Sequence, residues 1–195
     1  MKLPLFPLDT VLFPGCTLDL QIFEARYLDM VSGCLKAGHG FGVVRILEGS
    51  EVGEAPRAYS PVGCEALIRD WQQQSNGLLG IRVEGGRRFD VISAEVQRDQ
   101  LVVAEVGWRE EAEDLPLGPE HADLAVLLEA LGQHPLVRTI GMGGVAHGQR
   151  SLAHQLAYLL PFRPEQKLEL LQLDSTDALL ERIQGWLERL QHEDA

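Results

Sequence analysis

At 195 residues the chain is long enough to bury a hydrophobic core, as one domain or as two packed subdomains. Hydrophobic residues at 45% and charged residues at 24% exclude a disordered or fibrous repeat protein. The net charge of −12 repels phosphate groups, so we expect no binding to nucleic acid.

The amino terminus and the cysteines indicate a cytoplasmic, soluble protein. Residues 1–7 contain two prolines within what would be the apolar core of a signal peptide. No apolar run approaches the roughly 18 residues of a membrane-spanning helix, so we expect no membrane association. Cys16, Cys34 and Cys64 lack CxxC spacing, which fits a reducing compartment and a place in the core.

The first predicted elements are a half-buried strand and a helix. Three apolar residues of segment 18–22 alternate with Asp19 and Gln21, the period-2 pattern of a strand with one buried face. Apolar residues then recur at helical spacing over residues 24–36, where Gly38 can end the helix. The apolar stripe of this helix consists of Tyr27, Met30, Val31, Cys34 and Leu35.

The segments that follow predict further strands. Residues 41–47 form a continuous apolar run that suits a buried strand, and Asn76-Gly77 predicts a tight hairpin between strands at 62–71 and 78–84. Two more strands, at about 88–97 and 101–108, flank a turn at 98–100. Successive antiparallel strands leave exposed edges unless the sheet curls, so we predict a small β-barrel with one docked helix.

A change in composition predicts a domain boundary. Residues 110–119 are acidic and end in two prolines, which suits a solvated linker. We therefore predict a β subdomain at 1–112 and a helical subdomain at 113–195.

The second half of the chain predicts a helical bundle. One amphipathic helix carries four leucines between residues 124 and 131, and a second covers about 151–160. Pro164 opens a short third helix, and residues 174–176 can cap a last helix whose apolar stripe runs from Leu179 to Leu190. Their apolar faces predict that these helices pack together.

No catalytic, metal or cofactor motif is found. The glycines of residues 143–150 echo a P-loop, but Gln149 and Arg150 stand where a P-loop needs lysine and Ser/Thr, which favours a flexible connection between helices. His147 and His154 have a spacing that one helical face could share, yet Gly148 falls between them. We therefore predict no catalytic residues, no metal, no cofactor and no enzymatic activity.

The chain resembles the N-terminal, substrate-binding domain family of the Lon protease. The resemblance begins with residues 3–15, which end in a Leu-Phe-Pro-Gly turn, and with residues 18–27, which end in Ile-Phe-Glu-Ala-Arg-Tyr. It continues with segments 41–46, 62–66 and 86–91 and with a helical segment at 159–172, so it spans nearly the whole chain. Ala25, where stand-alone members commonly have proline, and Trp71-Gln-Gln-Gln before the hairpin turn depart from the family pattern.

This resemblance implies a fold and a function. It implies an α+β fold with a PUA-like β-barrel followed by a helical bundle. It also implies a stand-alone member, without the ATPase and protease domains of full-length Lon, that binds unfolded or exposed polypeptide segments and serves as an adaptor for a separate protease or chaperone.

The predicted contacts with a peptide lie near the family's first motif. An open β subdomain can offer a strand edge and an apolar groove to an extended peptide, and we predict that Phe13, Phe23 and Tyr27 line this groove. The main alternative is a small-molecule sensor on the PUA-like scaffold. An unrecognised hydrolase and a nucleic-acid-binding protein are further alternatives. The sequence leaves open the partner, the oligomeric state, the location of the groove and any bound ligand.

Overall fold

The structure is a computed structural model that describes the backbone of residues 1–193 and the side chains of residues 1–190. The chain divides into two compact units, Met1–Glu110 and a second that begins at Glu111. The first unit holds a sheet and one helix, and the regular elements described in the second are all helices. The predicted α+β class is therefore confirmed, whereas the predicted domain limits at residues 112 and 113 stay a prediction.

Six strands of the first unit form one sheet. They are β1 (Lys2–Leu8), β2 (Thr17–Ile22), β3 (Phe41–Glu48), β4 (Ala58–Gln73), β5 (Leu79–Val96) and β6 (Val102–Trp108). Their order is β2-β5-β4-β3-β1-β6, and β6 also pairs with β5. β1 pairs with β3 in parallel, and the other pairings are antiparallel.

The predicted hairpin at Asn76-Gly77 is present, but β5 is longer than predicted. Gln73 pairs with Leu79 across the turn, where Gly77 has a φ of 82°. β5 is one strand of 18 residues and covers the strands predicted at 78–84 and 88–97 except for residues 78 and 97. Gly85 does not end the strand, because its missing side chain leaves room for the Phe13 carbonyl, which would lie 2.0 Å from a Cβ atom there.

The helix of the first unit packs one apolar face against the sheet. α1 (Ala25–Ala37) ends at Gly38, which adopts a φ of 71° and donates its backbone N–H to the Cys34 carbonyl. Four of the five residues in its predicted stripe are buried, whereas Leu35 is 44% exposed. All three cysteines are buried, as predicted.

Opposite faces of the sheet carry two hydrophobic cores. In β1, Leu3 and Leu5 belong to a core around Phe89, while Phe6 and Leu8 belong to the core that includes the buried face of α1. This division follows from the alternation of side chains along a strand. The sequence Leu-Pro-Leu-Phe-Pro-Leu therefore supplies both cores from one strand.

The second unit consists of a short 3₁₀ helix and five α-helices. They are the 3₁₀ helix Pro119–His121, α2 (Ala122–Gly132), α3 (Pro135–Thr139), α4 (Gln149–Leu159), α5 (Pro164–Gln172) and α6 (Thr176–Glu193). α4 contacts α2, α5 and α6, which agrees with the predicted bundle, and α3 was not predicted. In the described part of the chain, no helix combines the length and the apolar character that crossing a membrane requires.

The acidic stretch before these helices is exposed over residues 112–116, as expected of a solvated linker, but it is also hydrogen-bonded to a helix. The Asp114 carboxylate accepts hydrogen bonds from the backbone N–H groups of Arg150 and Ser151, at 2.7 and 3.2 Å. Glu111 forms an ion pair of 3.3 Å with the Arg150 guanidinium. The stretch is therefore attached to the first turn of α4, whose N-cap residue, Gly148, has no side chain of its own to offer.

Candidate functional site

The structure places the two histidines and the glycine-rich segment that the sequence singled out in different settings within the helical unit. Among the described residues, no group of three or more His, Cys, Asp and Glu side chains could hold a metal ion. His154 is buried within α4, whereas His147 is exposed and precedes the helix, so the two do not share a helical face. Gly143 donates its backbone N–H to Gln155 Oε1, and its backbone lies against Gly132, so the glycine-rich segment connects helices by close packing.

The Phe-Glu-Ala-Arg-Tyr motif connects separate segments of the first unit. Arg26 is 5% exposed and donates to the Gln100 carbonyl at 2.8 Å and to Glu24 Oε1 at 3.1 Å. The same Glu24 oxygen accepts the backbone N–H of Gly53 at 3.2 Å. These bonds fix the start of α1 to the loop after β3 and to the turn before β6, and so they hold the end of β2 in place.

One edge of β2 has no neighbouring strand among the described residues. Within the described residues, β2 pairs with β5 alone and lies at the end of the strand order. Such an edge presents backbone N–H and C=O groups that can pair with another extended chain. Two cavities share Asp19, Leu20 and Gln21, so both lie along this strand. We call β2 together with these two cavities the β2 groove.

The smaller cavity of the β2 groove is lined mainly by apolar residues. Its volume is about 160 Å³, and its apolar lining consists of Phe6, Leu8, Leu20, Ile22, Phe23, Tyr27 and Val52. Phe23 and Val52 are each 54% exposed, while the Tyr27 ring packs edge-on against Phe6 at 4.1 Å between centroids. Burial raises the pKa of Tyr27 to about 12, so its hydroxyl stays protonated at neutral pH.

The larger cavity of the β2 groove is mixed in character. It has a volume of about 620 Å³ and is lined by residues 19–21 of β2, 70–72 of β4, Gln74 in the turn, and 80–82 of β5. Arg82 donates to both carboxylate oxygens of Asp19, at 2.7 and 2.8 Å. This hydrogen-bonded pair lowers the pKa of Asp19 below its usual value, so the carboxylate is ionised. Trp71, in the wall of the same cavity, is 58% exposed.

The three residues predicted to contact a peptide do not lie together. Phe23 and Tyr27 both line the smaller cavity, although Tyr27 is only 4% exposed. Phe13 is fully buried after β1 and does not line either cavity. Its role in binding stays a prediction, and in this conformation no partner can reach its ring.

Sequence reasoning did not identify Trp71 and Val52 as part of a site. The sequence offered a reason to consider Trp71, because this residue departs from the family pattern and is a large aromatic residue in a polar segment. The sequence offered no reason to consider Val52, since it lies in an irregular loop that only the fold brings to β2.

Comparisons with known proteins point to one family. The family model of the substrate-binding domain of the ATP-dependent protease La (Lon) matches residues 2–189. The crystal structure of a Lon N-terminal domain protein from Xanthomonas campestris is 38% identical, with a TM-score of 0.78 over 95% of this chain and 98% of that one. The N-terminal domain of the Mycobacterium avium complex Lon protease is similar in fold, with 18% identity and a TM-score of 0.62 over 95% of this chain and 97% of that one. The comparison with curated proteins found no match.

Proposed function

The chain belongs to the family of substrate-binding domains of the ATP-dependent protease La (Lon), and on this premise we propose that it binds exposed segments of other polypeptides in the β2 groove and catalyses no reaction. The observation that carries the proposal is the edge of β2 with a cavity along it whose apolar walls include an exposed aromatic side chain, Phe23.

The physical basis of this binding is β-strand addition. An extended segment placed beside β2 gains backbone hydrogen bonds that do not depend on its sequence, which suits a protein that recognises many unfolded chains. Phe23 and Trp71 then supply apolar surface near the strand, and exposed aromatic side chains of this kind commonly contribute much of the binding energy at interfaces.

Binding of a permanently unfolded polypeptide tests this function. A reduced and alkylated polypeptide carrying a fluorophore should bind the full chain with a rise in anisotropy, and Phe23→Ser and Trp71→Ser should each weaken binding by about tenfold. Hydrogen exchange should show added protection at residues 17–22 in the complex, because edge amides become hydrogen-bonded.

The matched control is Val145→Ser, which removes a side chain that is 88% exposed in the helical unit. It should leave the affinity within about twofold of the wild-type value. Equal loss of binding in all three variants, or no binding by the wild type, contradicts the proposed function.

We also propose the cellular setting. The acidic composition supports a protein that avoids nucleic acids, and the family supports a role as an adaptor that presents polypeptides to a protease or chaperone in the cytoplasm. Co-purification of such a protease or chaperone with the wild type, and loss of this co-purification with Phe23→Ser, would support the adaptor role.

For the fold, we propose that the sheet is a PUA-like barrel. The support is the pairing of β5 with both β4 and β6, which links the β4-β3-β1-β6 series back to β5. We further propose that the predicted subdomains 1–112 and 113–195 are separate domains, which separate unfolding transitions by calorimetry would support.

A second candidate function is sensing a small molecule in the larger cavity. Its volume of about 620 Å³ lies in the range of ligand pockets, and Arg82 and Trp71 offer polar and stacking contacts. Thermal stabilisation by a metabolite, lost in Trp71→Ala and without any response to unfolded polypeptide, would favour this candidate.

A further inference from the structure

The two faces of β2 differ in chemistry. Leu18 and Leu20 pack against the core that includes α1, while Asp19 and Gln21 are exposed on the opposite face. A segment that pairs with β2 continues the same sheet, so its own side chains alternate between these two faces. Every second residue therefore meets apolar surface, and the residues between them meet the face of Asp19.

The apolar side accepts a side chain of limited size. The smaller cavity, at about 160 Å³, is close to the volume of roughly 150 Å³ that accommodates a benzene-sized ligand. One leucine or phenylalanine side chain therefore fits against Ile22, Phe23 and Val52.

The opposite side carries an excess of negative charge. Asp19, Arg82 and Asp70 lie in register across β2, β5 and β4, so they form one row on the polar face. Arg82 donates two hydrogen bonds to Asp19, and Asp70 Oδ1 accepts the backbone N–H of Trp71. Two carboxylates against one guanidinium leave the row with one net negative charge.

The rest of the β2 groove adds to this charge. Glu24 and Glu51 line the smaller cavity, so the two cavities together have four carboxylates and one arginine in their walls. Glu24 is paired with Arg26, outside both cavities, and Glu51 accepts the backbone N–H of Asp9 at 2.6 Å. The charge of this groove therefore favours cationic side chains and disfavours acidic ones.

We propose that the preferred occupant of the β2 groove is an extended polypeptide segment in which apolar side chains alternate with lysine or arginine. This inference rests on the proposed function and adds a rule for which segments bind. One apolar side chain enters the smaller cavity on one face of the sheet, and the cations face the row of Asp19, Arg82 and Asp70 on the other.

Four labelled peptides of equal length test the rule with the full chain. One alternates leucine and lysine, one alternates leucine and glutamate, one alternates leucine and glutamine, and one has the first peptide's composition in two blocks. Fluorescence anisotropy should show the Leu/Lys peptide binding about tenfold tighter than the Leu/Glu peptide and about fivefold tighter than the blocked peptide. The difference in affinity between the Leu/Lys and Leu/Glu peptides should decrease as the salt concentration rises, because added ions screen these charges.

The double variant Asp19→Asn/Asp70→Asn separates charge from shape. It should bring the Leu/Lys and Leu/Glu affinities within about twofold of each other. Glu105→Gln, on β6 of the same sheet, removes an exposed carboxylate that lines neither cavity and should leave the tenfold preference in place. Circular dichroism checks that the variants are folded, and a single Asp70→Asn substitution, which retains the Asp19–Arg82 pair, should give a partial effect.

The outcomes distinguish this inference from the proposed function. Equal binding of the alternating peptides, weakened by Phe23→Ser, overturns the rule and leaves the proposed function standing. No binding by any peptide or by the unfolded polypeptide overturns both. A dimer in sedimentation experiments that excludes the peptides also overturns the rule, because a second copy of the chain would then be the occupant.

Discussion

Arg26 shows how a single residue of the family motif organises the first unit. Its guanidinium is almost completely buried and contacts Gln100 and Glu24, and it lies 4.6 Å from the centre of the Tyr27 ring. The motif is therefore mainly structural: it holds the end of β2 and the beginning of α1, and through them the smaller cavity. Only Phe23 of this motif offers a large exposed apolar surface.

Replacing Arg26 by alanine should destabilise the protein strongly. The substitution leaves the Gln100 carbonyl and the Glu24 carboxylate without this donor, and because Glu24 is partly exposed we expect a loss of about 2–4 kcal/mol in the free energy of unfolding. Urea denaturation measures this loss. Arg57→Ala is the matched control, since its pair with Glu48 is exposed on both sides and should contribute less than about 1 kcal/mol. Equal effects of the two substitutions would contradict this view of the motif.

Tyr27 should make the protein sensitive to alkaline pH. Its pKa is raised by burial from 10.0 to about 12, so the folded state favours the protonated hydroxyl. This contribution to stability is complete below pH 10 and is lost as the pH rises through about 12. Unfolding free energies measured across this window should fall more steeply for the wild type than for Tyr27→Phe. Tyr59, whose pKa burial also raises, is present in both proteins and provides the common background. Parallel curves for the two proteins would show that Tyr27 ionises as readily when folded.

At the scale of elements, periodicity and turn chemistry predicted much of the fold. The Asn76-Gly77 hairpin, the end of α1 at Gly38 and the helix that begins at Pro164 follow from local rules, and all three are present. The length of β5 was not predictable in the same way. Gly85 and Gly86 indicate a break between two strands, and only the loop packed against Gly85 explains why the strand continues.

The candidate site was only partly predictable for a similar reason. Phe23 belongs to a recognisable motif, whereas Val52, Trp71 and Arg82 come together with it through β2, β4, β5 and a loop that are distant in sequence. The alternation of Leu20 with Asp19 and Gln21 did reveal the two faces of β2 in advance. Which strand would lie at the end of the sheet depends on topology, which no local pattern determines.

The capping of α4 by Asp114 is a test at this scale. Asp114→Ala should lower the free energy of unfolding by about 1 kcal/mol, because two N–H groups in the first turn of α4 lose their acceptor. Thermal denaturation of the full chain measures the effect. The neighbouring substitution Glu113→Ala serves as the control for net charge and should have little effect. If both substitutions had the same effect, general charge repulsion rather than capping would be responsible.

Two glycines offer a second test of element packing. Gly63→Ala should destabilise the sheet by about 1–3 kcal/mol, because the new Cβ atom would lie 2.4 Å from the Phe89 ring. Gly33→Ala, within α1, meets no atom within 4 Å and should stabilise the protein by about 0.5–1 kcal/mol through helix propensity. Relative to the wild type, the denaturation midpoint should fall for Gly63→Ala and rise for Gly33→Ala. A destabilised Gly33→Ala would contradict the placement of that residue on the exposed face of α1.

For the whole molecule, the excess of negative charge should make the thermal stability depend on salt concentration. Twenty-nine acidic residues against 17 basic ones give a net charge of −12, and this self-repulsion opposes the compact state. Raising sodium chloride from about 10 to about 150 mM should therefore raise Tm by a few degrees, because the screening length falls from about 30 to about 8 Å. Potassium chloride should give the same slope. A Tm that falls with salt would mean that favourable ion pairs outweigh the repulsion.

The pairing of β1 has a consequence for how the protein is made. β1 lies between β3 and β6, and Lys2 is paired with Glu105, about a hundred positions along the chain. At a synthesis rate of about 5–20 residues per second, a nascent chain waits roughly 5–20 s between the two strands. During that interval the leucines of β1 lack at least one of their two neighbouring strands, so β1 is fully enclosed only after β6 has been made.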